Sequence, residues 1–142
     1  MTAEVHEWTQ YIHKSLVLNA NRLPHWGTKN KIVKDLKILG RVAGKNLGKK
    51  FLKVKMDVAV SYPTAASADA HNYMPTMKHY VDGMVDIPPA VKGQKRLPAR
   101  GILIDDDDAH FSGPYITGTG EKSDRKDFFR FDCRLEVMDV HQ

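Results

Sequence analysis

The sequence predicts an α+β fold: one mixed sheet with two helices packed on one of its faces. Three observations carry that prediction. Two segments alternate apolar and polar residues with the period of two that a half-buried strand requires. In one, Leu52, Val54, Met56, Val58, Val60 and Tyr62 alternate with Lys53, Lys55, Asp57, Ala59 and Ser61; in the other, Phe129, Phe131, Cys133, Leu135 and Val137 alternate with Arg130, Asp132, Arg134 and Glu136. Two further segments space apolar residues three and four apart, as a helix with one buried stripe does: Ile32, Leu36, Leu39, Ala43, and Met77, Tyr80, Val81, Met84, Val85. Read along the chain, the order is strand, helix, strand, helix, strand, strand, which lays helices on a sheet.

Each element has local support. Residues 1–12 read as an N-terminal tail and 13–18 as a first strand. Residues 19–27 form a loop holding Asn21, Arg22, Pro24, His25 and Trp26. Thr28 is the expected N-cap of the first helix. Lys29 and Lys31 then fall in its first turn, where the helix dipole disfavours cations. A phosphate partner or plain exposure to water accounts for them. Residues 44–50 read as a basic turn leading into the best strand, and 63–70 as a loop of small residues. Pro75 suits the first turn of the second helix. Gly83 inside that helix costs about 1 kcal/mol relative to Ala, which close packing could explain. Residues 86–100 form a loop with Pro88, Pro89, Gly93 and Pro98, and Gly101 to Ile104 lead into four consecutive aspartates, Asp105 to Asp108. Residues 110–117 read as a strand interrupted by Gly113 and Pro114, and 118–126 as a polar turn.

Composition narrows the class of protein. At 142 residues, 42% hydrophobic and 27% charged, the chain is expected to form a single globular domain over 1–142. No apolar run approaches the ~20 residues of a membrane span. Residues 1–8 lack the basic start and apolar stretch of a signal peptide. Cys133 is the only cysteine, so an internal disulfide and a multi-cysteine zinc site are excluded. A reducing compartment such as the cytoplasm is expected. The net charge of +5 is unevenly spread: residues 1–68 hold 12 Lys/Arg against 4 Asp/Glu, and residues 69–142 hold 10 against 13. A basic front with acids behind suits a protein that attracts a polyanion and holds a cation near it. Ordinary surface charge gives the same numbers.

The candidate chemistry lies in the acids. Asp69, His71 and Asn72 follow the best strand, and the aspartate run comes one loop after the second helix. Mg²⁺ is held by one or two carboxylates, with water and substrate phosphates completing its shell. Carboxylates from two distant segments would supply such a site, where the ion activates water for an in-line displacement. Lys78 could neutralise charge on the transition state or leaving oxygen. Taken singly, each piece has a plainer reading. An aspartate quartet reads more readily as a solvated loop, and it lacks the Gly and Glu spacing of an EF-hand. His71 alone reads as a loop histidine. Lys78 and Asp82 make a helical ion pair. No P-loop, dinucleotide fingerprint, HExxH or nucleophile elbow is present.

Taken together, Asp69-Ala70-His71-Asn72, Pro75-Thr76-Met77-Lys78, Val81-Asp82-Gly83-Met84 and Gly101-Ile102-Leu103-Ile104-Asp105-Asp106 resemble the core of the RusA family of crossover junction endodeoxyribonucleases. Asn21-Arg22 and His25-Trp26 before a basic helix are similar to that family's N-terminal segment, and the likeness spans roughly 13–137. The resemblance implies a homodimeric, Mg²⁺-dependent enzyme that resolves four-way DNA junctions in a bacterial or phage-infected cytoplasm. Carried over by position, Asp69 and Asp106 match acidic metal-site residues and Lys78 matches the essential lysine. Asp105 is the first of the Asp-Asp pair, and Asp107 substitutes if the register slips by one. His71 stands where the family pattern has a second aspartate. Imidazole suits softer divalent ions, so His71 is either a ligand that favours Mn²⁺ or a bystander. DNA contacts are expected from Arg22, Lys29, Lys31 and Lys34 and from Lys92, Lys95 and Arg96. They would serve an enzyme that reads branch shape rather than sequence. The alternatives are a branched-DNA-binding protein without catalysis, and a nuclease acting on flaps or other branched DNA.

Overall fold

In the computed structural model, the structure describes residues 4–64, 69–86, 91–95, 100–104 and 110–138. Six principal elements follow in the order β1 (Val5–His13), α1 (Trp26–Leu47), β2 (Val54–Tyr62), α2 (Met74–Val85), β3 (Phe111–Lys122) and β4 (Phe128–Val137). The four strands form one mixed sheet in the order β1-β4-β2-β3. β4 is antiparallel to both β1 and β2, and β3 is parallel to β2. The fold is therefore the expected α+β class with two helices on one sheet.

The alternating strands behave as their pattern requires. Val54, Met56, Val58 and Val60 of β2 and Phe129, Phe131, Cys133 and Leu135 of β4 are buried, joined by Ile32, Leu36 and Ala43 of α1 and by Met77, Tyr80, Val81, Met84 and Val85 of α2. Each helix buries the stripe its spacing defines, and Leu39 packs against the core while only partly buried. The opposite sheet face carries Glu7, Thr9, Asp57, Asp132 and Arg134.

Glycine sets how closely the helices approach. A side chain on Gly40 would run into the backbone carbonyl of Tyr80, and one on Gly83 into the backbone carbonyl of Lys37. Gly83 is thus present for contact, and its low helix propensity is offset by the approach it permits.

Several boundaries differ from the sequence reading. The first strand is not 13–18, and residues 1–12 are not simply a tail: Val5–His13 pairs along its length with β4, and Lys14–Leu16 form one turn of 3-10 helix. Its inward face runs Trp8, Gln10, Ile12, so a polar residue sits where alternation calls for an apolar one. Gln10 is held there by the Tyr80 hydroxyl, which donates to Gln10 Oε1 (2.8 Å) and accepts from Trp8 Nε1 (2.9 Å). The N-cap of α1 is His25, whose Nδ1 accepts from the Gly27 amide (3.3 Å); Thr28 lies inside the helix. The basic stretch 44–50 is helical through Leu47, and Gly48 closes the helix in the left-handed conformation (φ 67°). β3 continues to Lys122 rather than stopping at 117, and absorbs Gly113 and Pro114 at a register shift. As the edge strand of the sheet it can spare the amide that proline lacks.

Candidate functional site

β2 delivers the chain to Tyr62 at one end of the sheet, where Tyr62, Tyr73 and Phe129 pack ring against ring with centroids 5.0–6.0 Å apart. Above this cluster, Asp69 caps the one-turn 3-10 helix Ala70–Tyr73, its Oδ1 accepting from the His71 amide at 3.0 Å. Burial, then the neighbouring Tyr73 and the Asp69 charge, pushes the Tyr62 hydroxyl above its ordinary pKa. Asp69 and His71 are both exposed, whereas Asn72 is half-buried.

Asn72 connects this turn to the segment before α1. Its carbonyl accepts from the Ala20 amide (2.7 Å), and its side-chain oxygen accepts from Asn21 Nδ2 (3.2 Å). One turn further on, the buried Thr76 hydroxyl donates to the Leu18 carbonyl (2.9 Å) and accepts from the Leu18 amide (2.8 Å). Four hydrogen bonds thereby lay residues 18–21 along the start of α2. Residues 19–34 contain Arg22, Lys29, Lys31 and Lys34 and no acid. Arg22, Lys31 and Lys34 are exposed and Lys29 is half-buried. Lys29, with Lys78 and Lys37, acts on His79 of α2, whose pKa is lowered by burial first and by these cations after it. The basic start of α1 therefore faces the middle of α2.

Lys78 is exposed and pairs with Asp82 one turn along (3.4 Å), and His79 Nδ1 lies 3.8 Å from the same carboxylate. The helical ion pair expected from sequence is thus present. At the end of α2, Asp86 takes a left-handed conformation (φ 50°). Its carboxylate, only 11% exposed, pairs with Arg41 (3.3 Å) and Arg100 (3.3 Å). Arg41, Lys45, Lys49, Lys50 and Arg100 surround that end of the helix pair. The sequence reading missed this cationic group, because Arg100 joins residues 41–50 only through the fold.

The aspartates Asp105, Asp106, Asp107 and Asp108, and Arg96, lie outside the described residues. The residues flanking the aspartates are described. Ile102 donates to the Met84 carbonyl at the end of α2, Ile104 donates to Phe51, and Phe111 pairs with Val54. Both flanks sit where β2 and β3 begin, whereas Asp69 sits where they finish. Nine residues of β2 separate the two ends, roughly 30 Å of strand. Lys92 and Lys95 are exposed on the loop after α2.

The donor set suits a divalent ion only in part. Mg²⁺ takes carboxylate, carbonyl and water oxygens, and the Asp69 end offers one carboxylate, the Asn72 amide and the His71 imidazole. Among the described residues no group of three or more His, Cys, Asp or Glu side chains is arranged to hold a metal ion. No described helix is long and apolar enough to cross a membrane. Compared with known proteins, the chain matches no family model and no curated protein.

Proposed function

We propose that this protein is a metal-dependent endodeoxyribonuclease that cleaves branched DNA, four-way junctions foremost, and that it acts as a homodimer. The observation that carries the reading is the joining of Asp69, His71 and Asn72 to an acid-free, cation-bearing segment through Asn21 and Ala20. Exposed cations beside an exposed carboxylate are what a phosphodiester requires: the cations neutralise and position the backbone, and the carboxylate holds a counter-ion against it. The sequence likeness to RusA enzymes supplies the reaction class.

In this reading Asp69 and Asp106 hold Mg²⁺ or Mn²⁺, with Asp105 and His71 adjoining. When bound there, the ion would supply an activated water and a neutralised phosphate. Lys78 releases Asp82 and turns to the phosphate or leaving oxygen. Asp106 is two residues past Ile104, at most about 7 Å of extended chain, while the twelve residues of α2 that join the two ends span about 18 Å and β2 spans more. We therefore take the acids of each site from two copies: Asp69 from one subunit and the aspartate run from its partner.

A second reading, branched-DNA binding without catalysis, is favoured by His71, which stands where the family pattern has a carboxylate. A substrate panel of four-way junctions, flaps, duplex and single strands with Mg²⁺ or Mn²⁺ separates the two. The nuclease reading expects nicks in branched DNA, reduced at least about a hundredfold by Asp69→Asn and by Lys78→Ala, a loss on the scale of removing one group that stabilises transition-state charge. Tight binding with no cleavage under either metal, unchanged by His71→Asp, would leave only the binding reading.

A further inference from the structure

We propose that Trp26 is a stacking platform for an unpaired nucleobase, with Arg22, Lys29 and Lys31 holding the phosphates on either side of that base. The inference rests on the nucleic-acid-binding half of the function proposed above, and is independent of cleavage. Trp26 is 70% exposed, the most exposed of the large hydrophobic side chains among the described residues. Exposed single apolar residues are common, but this one has a defined setting. It is the first residue of α1, directly after the capping residue His25, whose ring lies 5.6 Å from the indole at an interplanar angle of 37°. The cap hydrogen bond to Gly27 fixes the imidazole, and the imidazole in turn limits how the indole can turn.

The surroundings define the partner. Lys29 is three residues on, a neighbour of Trp26 on the helix surface. Arg22, four residues before it, and Lys31, five residues after it, are exposed, and no Asp or Glu occurs between Glu7 and Asp35. A flat, exposed aromatic within an acid-free group of cations matches a polyanion that also offers aromatic faces, which is single-stranded or unpaired nucleic acid. Base stacking on an aromatic side chain combined with a cationic track for the backbone is the usual chemistry of such binding. The loop that leads into Trp26 is bonded through Leu18, Ala20 and Asn21 to Thr76 and Asn72, which ties it to the segment that follows Asp69. A fully paired duplex has no free base face to offer, and the platform would therefore favour DNA at a branch point or an end.

The test uses intrinsic tryptophan fluorescence and binding titrations in EDTA, where metal-dependent cleavage is silent. The probes are a mixed-sequence single strand, a four-way junction and a closed hairpin duplex without unpaired ends or exposed loop bases. We expect quenching by the single strand and the junction and little by the duplex. Trp8, hydrogen-bonded to Tyr80, should contribute an unresponsive background. Trp26→Ala should weaken binding to the first two by roughly 5- to 150-fold, Trp26→Phe should retain most of the affinity, and both should keep the wild-type unfolding midpoint because the side chain is exposed. Unchanged affinity in Trp26→Ala would overturn the proposal, as would equal quenching by duplex. A blue shift on anionic phospholipid vesicles with no response to DNA would overturn it in favour of membrane-surface binding. Quenching without cleavage under any metal would remove the nuclease and leave the platform. Cleavage with normal binding by Trp26→Ala would do the reverse.

Discussion

Gly83→Ala separates helix propensity from helix packing, because the two predict opposite signs. In an exposed helix the change would stabilise by about 1 kcal/mol. Here the new Cβ would lie 2.7 Å from the Lys37 carbonyl carbon and 2.8 Å from its Cα, and closer still to the carbonyl oxygen. Carbon atoms rest comfortably at about 3.5–4.0 Å, so α1 and α2 must part by nearly 1 Å. The opposing atoms are backbone and cannot swing aside as a side-chain tip would. Overpacking of this kind typically costs 1–3 kcal/mol and occasionally more. Taking the upper end, and subtracting the propensity gain, leaves a net loss of about 2 kcal/mol. For a chain of this length each kcal/mol moves the melting temperature by about 3–4 °C, so Gly83→Ala should melt roughly 6–8 °C lower. Gly40→Ala should behave alike. Gly44→Ala, whose nearest contacts would be 3.3 Å, should stay within a few degrees of the wild type. The assay is thermal unfolding followed by circular dichroism. A Gly83→Ala protein as stable as the wild type, or more so, would refute the glycine-mediated contact.

Thr76→Val keeps the shape of the side chain but leaves the buried Leu18 amide and carbonyl without their partner. It should cost about 2–4 kcal/mol in the urea midpoint and speed hydrogen exchange at the Ala20 amide, which is bonded to Asn72. An unchanged Ala20 exchange rate would show that Thr76 does not hold this segment. The His79 pKa is lowered by burial, with help from Lys78. Between that lowered value and the ordinary ~6.5 the unfolded chain binds the extra proton. Stability should therefore be full above about pH 6.5 and fall as pH drops through this window. The lowered carboxyls of Glu4 and Asp124 act only below their ordinary range near 4. Urea midpoints at pH 7 and pH 5 should consequently differ more for the wild type than for His79→Gln, and an equal drop in both would assign the effect elsewhere.

Periodicity made β2, β4 and both helical stripes legible because each buries one face continuously. β1 was hidden because Gln10 occupies an inward position, and only the distant Tyr80 hydroxyl explains how a polar group is satisfied there. The start of α1 was hidden because histidine is outside the usual set of capping residues. The closeness of Gly40 to Tyr80 and of Gly83 to Lys37 depends on helix pairing, which spacing along one helix does not encode. At the candidate site, the pairing of Lys78 with Asp82 is local and readable. The Asn21–Asn72 bond joins residues 51 apart and is not. Nor does the sequence say that β3 runs parallel to β2. That orientation makes the chain return along α2 to the starting end of the sheet, which sets the flanks of the aspartate run far from Asp69.

That separation makes mixing of two disabled proteins the most direct measurement. Asp69→Asn and Asp106→Asn are purified separately, each inactive on a labelled four-way junction with Mg²⁺, then mixed so that subunits exchange. With each site drawn from two copies, a mixed dimer carries both substitutions in one site and neither in the other. Nicking should return to roughly a quarter of the wild-type level, because half of randomly exchanged dimers are mixed and each holds one of two intact sites, following the two-fold symmetry of such assemblies. A mixture that exchanges subunits and stays inactive, beside an active wild type, would contradict the shared site.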